Sequence, residues 1–193
     1  MKITTELLCW AALISFPVIA LLLAIAVDFM LFEQRSDTQK QKKSLVATGS
    51  MFLFYGVYLL MIRFDVLKIE SIPVYVRYFG IFMLYVGCAI NLIGRFTLQG
   101  NWANHIKIYN DHVLITDSVF GWVRHPLYVS LFIMLFGGAL VYANLACFLL
   151  TAFVFIPMMY YRAKQEETLL SQAFENYAAY KQKTGMFFPK FWR

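Results

Sequence analysis

With 193 residues, 61% of them hydrophobic and only 15% charged, the chain carries more apolar side chains than a water-soluble globule can hide; ordinary soluble domains hold roughly 45–50% apolar and about 25% charged residues. A mean hydropathy of +0.62 points the same way, to an integral membrane protein. The net charge of +6 calls for no nucleic acid, because membrane topology and anionic headgroups account for basic loops.

Five apolar runs follow one another, each near the length a membrane-crossing helix needs, about 20 residues. The first is predicted over Leu7–Phe32 and the second over Leu45–Ile62. The first resembles the apolar stretch of a signal peptide, but it is too long for one and Glu6 interrupts its start. The third runs from Pro73 to Leu98, with Arg77, Asn91 and Arg95 toward its ends. The fourth, Leu127–Tyr142, is short, and only Ala143 and Asn144 separate it from the fifth, Leu145–Tyr161. That spacing predicts a tight helical hairpin, in which Gly137, Gly138 and Ala139 give a small-residue face for close helix contact. Strands are not expected, since the runs lack the alternation of a lipid-facing barrel. Residues 164–182 place Leu169, Leu170, Ala173, Phe174, Tyr177 and Tyr180 at helical spacing opposite a polar face, which predicts an amphipathic helix at the membrane surface. No Gly/Ser/Pro-rich linker divides the chain, so the expected fold is one all-α, five-span domain: residues 1–98 supply three spans and residues 99–193 a site-bearing half.

Thirteen of the seventeen Lys and Arg residues fall in the 33–44 loop, around the 99–126 loop and in the C-terminal tail. Lys2, Arg63, Lys68 and Arg77 are left for the other face. The positive-inside rule then puts the N-terminus outside and the C-terminus in the cytoplasm. Cys9, Cys88 and Cys147 sit in separate apolar runs and read as small apolar filler rather than a disulfide framework. No Cys or His grouping has the spacing of a metal site, so no metal is expected.

Three polar clusters flank the cytoplasmic ends of spans: Gly100-Asn101-Trp102 with His105, Arg124-His125-Pro126 with Tyr128, and Arg162 with Glu166-Glu167. Pro126 suits the first turn of the fourth helix, where its missing N–H is not needed. The free N–H groups there favour an anion, and the planar Arg124 fork matches a carboxylate or phosphate. A snorkelling Arg beside a helix-capping His explains the same pair without a ligand. Glu166 lies one turn after Arg162 and reads as its ion-pair partner. Glu167 points about 100° away and has no local partner, which suits either a solvated face or an ammonium ligand. Taken together, the Arg, the helix start and the acid meet the needs of a zwitterionic amino-acid end. Trp102 and the tyrosines add stacking surfaces, or serve as interfacial anchors.

The strings GNWAN at 100–104, GWVRHPLY at 121–128, RAKQEETLL at 162–170 and FENYAAYKQKTGMFFP at 174–189 carry a family resemblance. In order and spacing the C-terminal half resembles the isoprenylcysteine carboxyl methyltransferase family, and more loosely the wider group that includes phospholipid methyltransferases. The resemblance implies S-adenosylmethionine as methyl donor, held on the cytosolic side under a cap of the final helix and loops, and a lipophilic acceptor arriving from the bilayer. It implies cofactor-binding roles for Arg124, His125, Pro126, Tyr128, Trp102 and Glu167, the last on the methionine ammonium. Arg95, Trp102 and Tyr177 are the candidates for the acceptor. No catalytic residue is needed for a carboxylate acceptor, which is already ionised, whereas an amine or thiol would draw on His125 or Glu166. Ala103 and Met186 depart from the family's pattern, Met186 standing where some relatives have a basic residue. A sterol or lipid double-bond reductase using NADPH shares a similar C-terminal helical layout and is the rival reading, with a non-catalytic membrane binding protein as the third.

Overall fold

In a computed structural model, residues 2–32, 38–42, 48–98, 106–109 and 113–190 are described. The chain folds into helices α1 (Lys2–Phe32), α2 (Thr48–Arg63), α3 (Val74–Leu98), α4 (Pro126–Val141), α5 (Leu145–Ala173) and α6 (Tyr177–Lys183). Strands β1 (Thr38–Lys42) and β2 (Ile106–Tyr109) pair antiparallel, Lys40 opposite Ile108 and Lys42 opposite Ile106. The apolar body is helical, as the composition requires. The ribbon is an addition to the expected all-α fold, and it pairs segments more than sixty residues apart, which no local pattern signals.

Two helices, α3 and α5, are long and apolar enough to cross a membrane, and shorter apolar helices cover Ala12–Val27, Gly49–Arg63 and Pro126–Val141. Large apolar side chains such as Leu22, Phe52, Phe82 and Phe153 stand exposed, an arrangement that water penalises and a bilayer rewards. The 16 residues of α4 span only about 24 Å at 1.5 Å per residue, less than the hydrocarbon thickness of about 30 Å. That shortfall is tolerable because α4 is the central helix: Phe132, Met134, Leu135, Ala139 and Val141 are all buried. It packs on α3 along a seam where a Cβ on Gly80 would lie 2.7 Å from the Gly137 carbonyl oxygen, and one on Gly137 equally close to the Gly80 carbonyl. Backbones come this near only where side chains are absent. On the other side, Phe54 and Tyr58 of α2 join Phe132, Leu135, Ala139, Cys147, Phe155 and Met159 in one core cluster. The Tyr58 hydroxyl donates to the Leu135 carbonyl across it (2.6 Å).

The α4–α5 hairpin closes as its two-residue turn predicts. Ala143 takes a left-handed φ of 51°, and the Asn144 side chain accepts from the Cys147 N–H (2.8 Å) while its amide donates to the Met61 carbonyl (3.1 Å). Both bonds hold the start of α5 in place. Within α5 the turn Thr151–Phe155 widens to a π-helix just before Pro157, whose missing N–H interrupts the ordinary ladder. The expected helix over 164–182 is divided. α5 runs on to Ala173, Phe174 turns extended (φ −127°), and α6 begins at Tyr177. This break folds α6 back toward the polar residues of α5.

Candidate functional site

The α3 end that carries Arg95 adjoins the start of α4. There the backbone of Val123–His125 is strapped to the C-terminal segment: Val123 bridges Gly185 in parallel, Arg124 N–H donates to Gly185 O (2.8 Å) and His125 N–H to Met186 O (3.2 Å). Pro126 opens α4, and the His125 carbonyl accepts from the N–H groups of Tyr128 and Val129. Loop, strap and helix start thus aim Arg124 and His125 at α5 and α6.

Arg124 and Glu167 meet there. Arg124 Nε lies 2.8 Å and Nη2 2.6 Å from Glu167 Oε1. Arg124 Nη1 donates to the carbonyls of Thr184 and Lys181. Both partners are almost wholly buried, with side chains 6% and 2% exposed, so loss of either one strands the other's charge away from water. Lys181 Nζ, on α6, stands 3.0 Å from the other oxygen, Glu167 Oε2. Glu167 thus draws its partners not from its own helix but from Arg124 and Lys181, distant in sequence. Burial raises the Glu167 carboxyl pKa, but His125, Lys181 and Arg124 outweigh it and hold the group at about 2.

His125 bridges the two acids. Nδ1 lies 3.4 Å from Glu166 Oε2 and Nε2 3.4 Å from Glu167 Oε1. Its ring stacks on Tyr128 (centroids 5.5 Å, 10°) and meets the Phe187 edge at 6.0 Å. Burial pushes the imidazole pKa down, yet the two carboxylates together leave it raised above 6.5. Glu166 accepts from the Tyr128 hydroxyl and pairs with Arg162 Nε at 3.4 Å, so the anticipated one-turn ion pair is present. Burial raises the Glu166 pKa as well, but His125 and Arg162 carry it below its ordinary value.

Tyr177 is buried in the same cluster, and Tyr180 donates to the Phe120 carbonyl (2.7 Å). Tyr177, expected on the acceptor, therefore stands beside Arg124 and Glu167, residues expected on the cofactor. Arg95 sits in the last turn of α3, where its Nε donates to Asn91 Oδ1 (2.7 Å), and the Asn91 amide donates to Ser130 Oγ of α4 (2.6 Å). Trp102 and His105 lie outside the described residues. Sequence reasoning missed Lys181 and the Thr184–Met186 carbonyls. Lys181 reads as one more basic tail residue, and backbone acceptors leave no mark in a sequence.

Among the described residues, Tyr177 Oη is buried without a hydrogen-bond partner, while His125 Nε2 and Glu167 Oε2 are met only by ion-pair contacts, with Glu167 Oε1 at 3.4 Å and Lys181 Nζ at 3.0 Å. Buried polar atoms are rarely left so. Three atoms without an aligned hydrogen bond thus surround one ion pair.

Residues 80–172 match the isoprenylcysteine carboxyl methyltransferase family, and this stretch contains the RHP turn and the acid pair. The matched stretch is just under half of the chain. Among curated methyltransferases, the protein-S-isoprenylcysteine O-methyltransferase of Saccharomyces cerevisiae is 31% identical over 114 residues, which cover 54% of this chain and 48% of that enzyme. The protein of the same name from Schizosaccharomyces pombe is 35% identical over 78 residues, covering 40% of this chain and 33% of that one. The chain thus spans about half the length of these relatives, or less. A solved structure described as the eukaryotic intramembrane Ras methyltransferase superposes with a TM-score of 0.61 at 20% identity, over 86% of this chain and 60% of that one. The likeness of fold therefore reaches beyond residues 80–172, the stretch matched by sequence.

Proposed function

We propose that the protein is an intramembrane methyltransferase that transfers a methyl group from S-adenosylmethionine to a lipophilic acceptor, the carboxylate of an isoprenylcysteine-like molecule. The observation that carries this reading is the buried Arg124–His125–Glu167 cluster with its polar atoms that lack an aligned hydrogen bond. Its donor set fits the amino-acid end of such a cofactor: the Glu167 oxygen that faces Lys181 suits an ammonium, while the Arg124 guanidinium and Tyr177 hydroxyl suit a carboxylate. S-Adenosylmethionine, when bound, supplies a methyl group already activated on a sulfonium.

The chain's own task is then binding, alignment and exclusion of water. His125 is fixed by Tyr128, Phe187 and two carboxylates, so it walls the site rigidly. Glu166 is engaged by Tyr128 and Arg162 and takes a positioning role. A carboxylate acceptor needs no general base, in keeping with a cluster whose acids are all paired. Positive-inside asymmetry supports five spans with this site in the cytoplasmic leaflet.

The test is methyl transfer from labelled S-adenosylmethionine by the purified protein in nanodiscs, offered prenylcysteine analogues and extracted lipids in parallel. Label in the prenylcysteine ester, released by mild base, is the expected result. Label only in a phospholipid headgroup overturns the acceptor assignment. Calorimetry in which S-adenosylhomocysteine shows no heat while NADPH binds overturns the whole reading.

A further inference from the structure

Lys181 places an ammonium on the acid to which the proposed cofactor's ammonium is assigned. Its Nζ is 3.0 Å from Glu167 Oε2, the oxygen that no described group satisfies with an aligned hydrogen bond. The two ends of this contact differ sharply: the Glu167 side chain is 2% exposed and that of Lys181 46%. The lysine can therefore leave for water at little cost, whereas the glutamate cannot. Lys181 also sits on α6, which contacts both members of the Arg124–Glu167 pair. α6 is short, seven residues, and its carbonyls are held from both sides: Arg124 Nη1 donates to Lys181 O (3.3 Å), and Lys190 Nζ to Lys181 O and Gln182 O (3.0 Å each). Tyr177, one turn before Lys181, has its hydroxyl buried and unpartnered on the same side.

From this geometry we infer that Lys181 is an internal stand-in for the ligand's ammonium, a latch that ties α6 to Glu167 in the ligand-free protein and is displaced when the cofactor binds. The inference rests on the cofactor reading above and concerns the regulation of that same site. A helix tied to the acid seals the buried charge while no ligand is present. The Arg124 fork stays on Glu167 Oε1 throughout, and only the Oε2 contact is exchanged, one ammonium for another. No net charge enters or leaves the carboxylate's surroundings, so the exchange avoids stranding a buried ion.

Because an exposed lysine contributes little to such a pair, removing it should tighten ligand binding modestly. With S-adenosylhomocysteine titrated calorimetrically into the full chain in nanodiscs, Lys181→Gln is expected to bind about two- to fivefold more tightly than wild type. Lys181→Arg keeps a competing cation and should stay near wild type. In the same preparations without ligand, hydrogen exchange of residues 177–183 should be faster in Lys181→Gln and unchanged in Lys181→Arg. Equal or weaker binding by Lys181→Gln, with wild-type binding intact, overturns the latch and leaves the cofactor reading standing; weaker binding would make Lys181 a direct ligand contact. Absence of S-adenosylhomocysteine binding to wild type overturns the cofactor reading and the latch together. Unchanged exchange in Lys181→Gln also overturns the latch, since α6 would then be held by other contacts.

Discussion

Arg124 and Glu167 are worth most as a pair, and the physics of burial says how their variants should behave. Removing one partner of a buried pair strands the other charge, typically at about 3–5 kcal/mol. Glu167→Gln and Arg124→Met should each lower the unfolding temperature clearly and abolish S-adenosylhomocysteine binding. The double variant should be less destabilised than the two losses added together, because no charge is left stranded. Additive losses would mean the two side chains act independently. The same contacts give the site a pH signature, since both groups lie beyond the apolar runs Leu127–Tyr142 and Leu145–Tyr161. Glu167 is held at about 2 against an ordinary 4.5, so its contribution is complete above 4.5 and fades as the pH falls toward 2. His125 runs the other way. Its pKa is raised above 6.5, so its contribution is complete below 6.5 and is lost as the pH rises through the raised value. Thermal unfolding followed across pH should therefore lose its alkaline arm in His125→Gln and its acid arm in Glu167→Gln. An alkaline arm that survives in His125→Gln would assign that titration to another group.

At the level of elements, the strap that follows α6 makes a sharper demand than any one side chain. A Cβ on Gly185 would stand 1.7 Å from the Phe188 carbonyl oxygen, a separation no backbone tolerates without moving. Gly185→Ala should shift the strap that holds the Arg124 and His125 N–H groups and weaken S-adenosylhomocysteine binding tenfold or more, by roughly 1.4 kcal/mol. Thr184→Val keeps the carbonyl that Arg124 uses and should bind as wild type does. Equal affinity in Gly185→Ala would show that the strap does not position the site. These elements also show what a sequence discloses. The start of α4 was legible because Pro126 carries its own geometry, and the α4–α5 turn because two apolar runs abut. The Gly137 face was legible for want of side chains, while its partner Gly80 was not, since nothing in either segment names the other. The β1–β2 ribbon and the division of 164–182 at Phe174 arise from tertiary contacts, which local periodicity does not encode. The acid pair was legible as chemistry, but its occupants Arg124 and Lys181 became visible only once the chain was folded.

For the molecule as a whole, the two ends of the helical body differ in kind. At one end Arg77 Nη1 donates to the Val141 carbonyl (2.9 Å), Ile69 N–H to Ala143 O (2.7 Å), and Lys68 pairs with Asp65 in water-exposed surroundings. These contacts tie the α2–α3 loop to the α4–α5 hairpin and leave no buried charge looking for a partner. At the other end lie Arg124, His125, Arg162, Glu166, Glu167 and Lys181, with most of the chain's basic residues. The 25 residues of α3 separate the two ends by about 37 Å, enough to cross the hydrocarbon core of about 30 Å. The proposed S-adenosylmethionine-dependent activity requires the site on the side where that cofactor is available, and the positive-inside rule predicts that this end faces the cytoplasm. Single cysteines at Lys183 and Lys68, in a chain with its three native cysteines replaced by Ala, make this measurable with a membrane-impermeant maleimide. Lys183→Cys should react only in inverted vesicles or after permeabilisation, and Lys68→Cys in intact cells. The reverse pattern would put the cluster on the outer surface and remove the cofactor supply on which the methyltransferase reading depends. Reaction of both positions from one side would show that α3 does not cross the membrane.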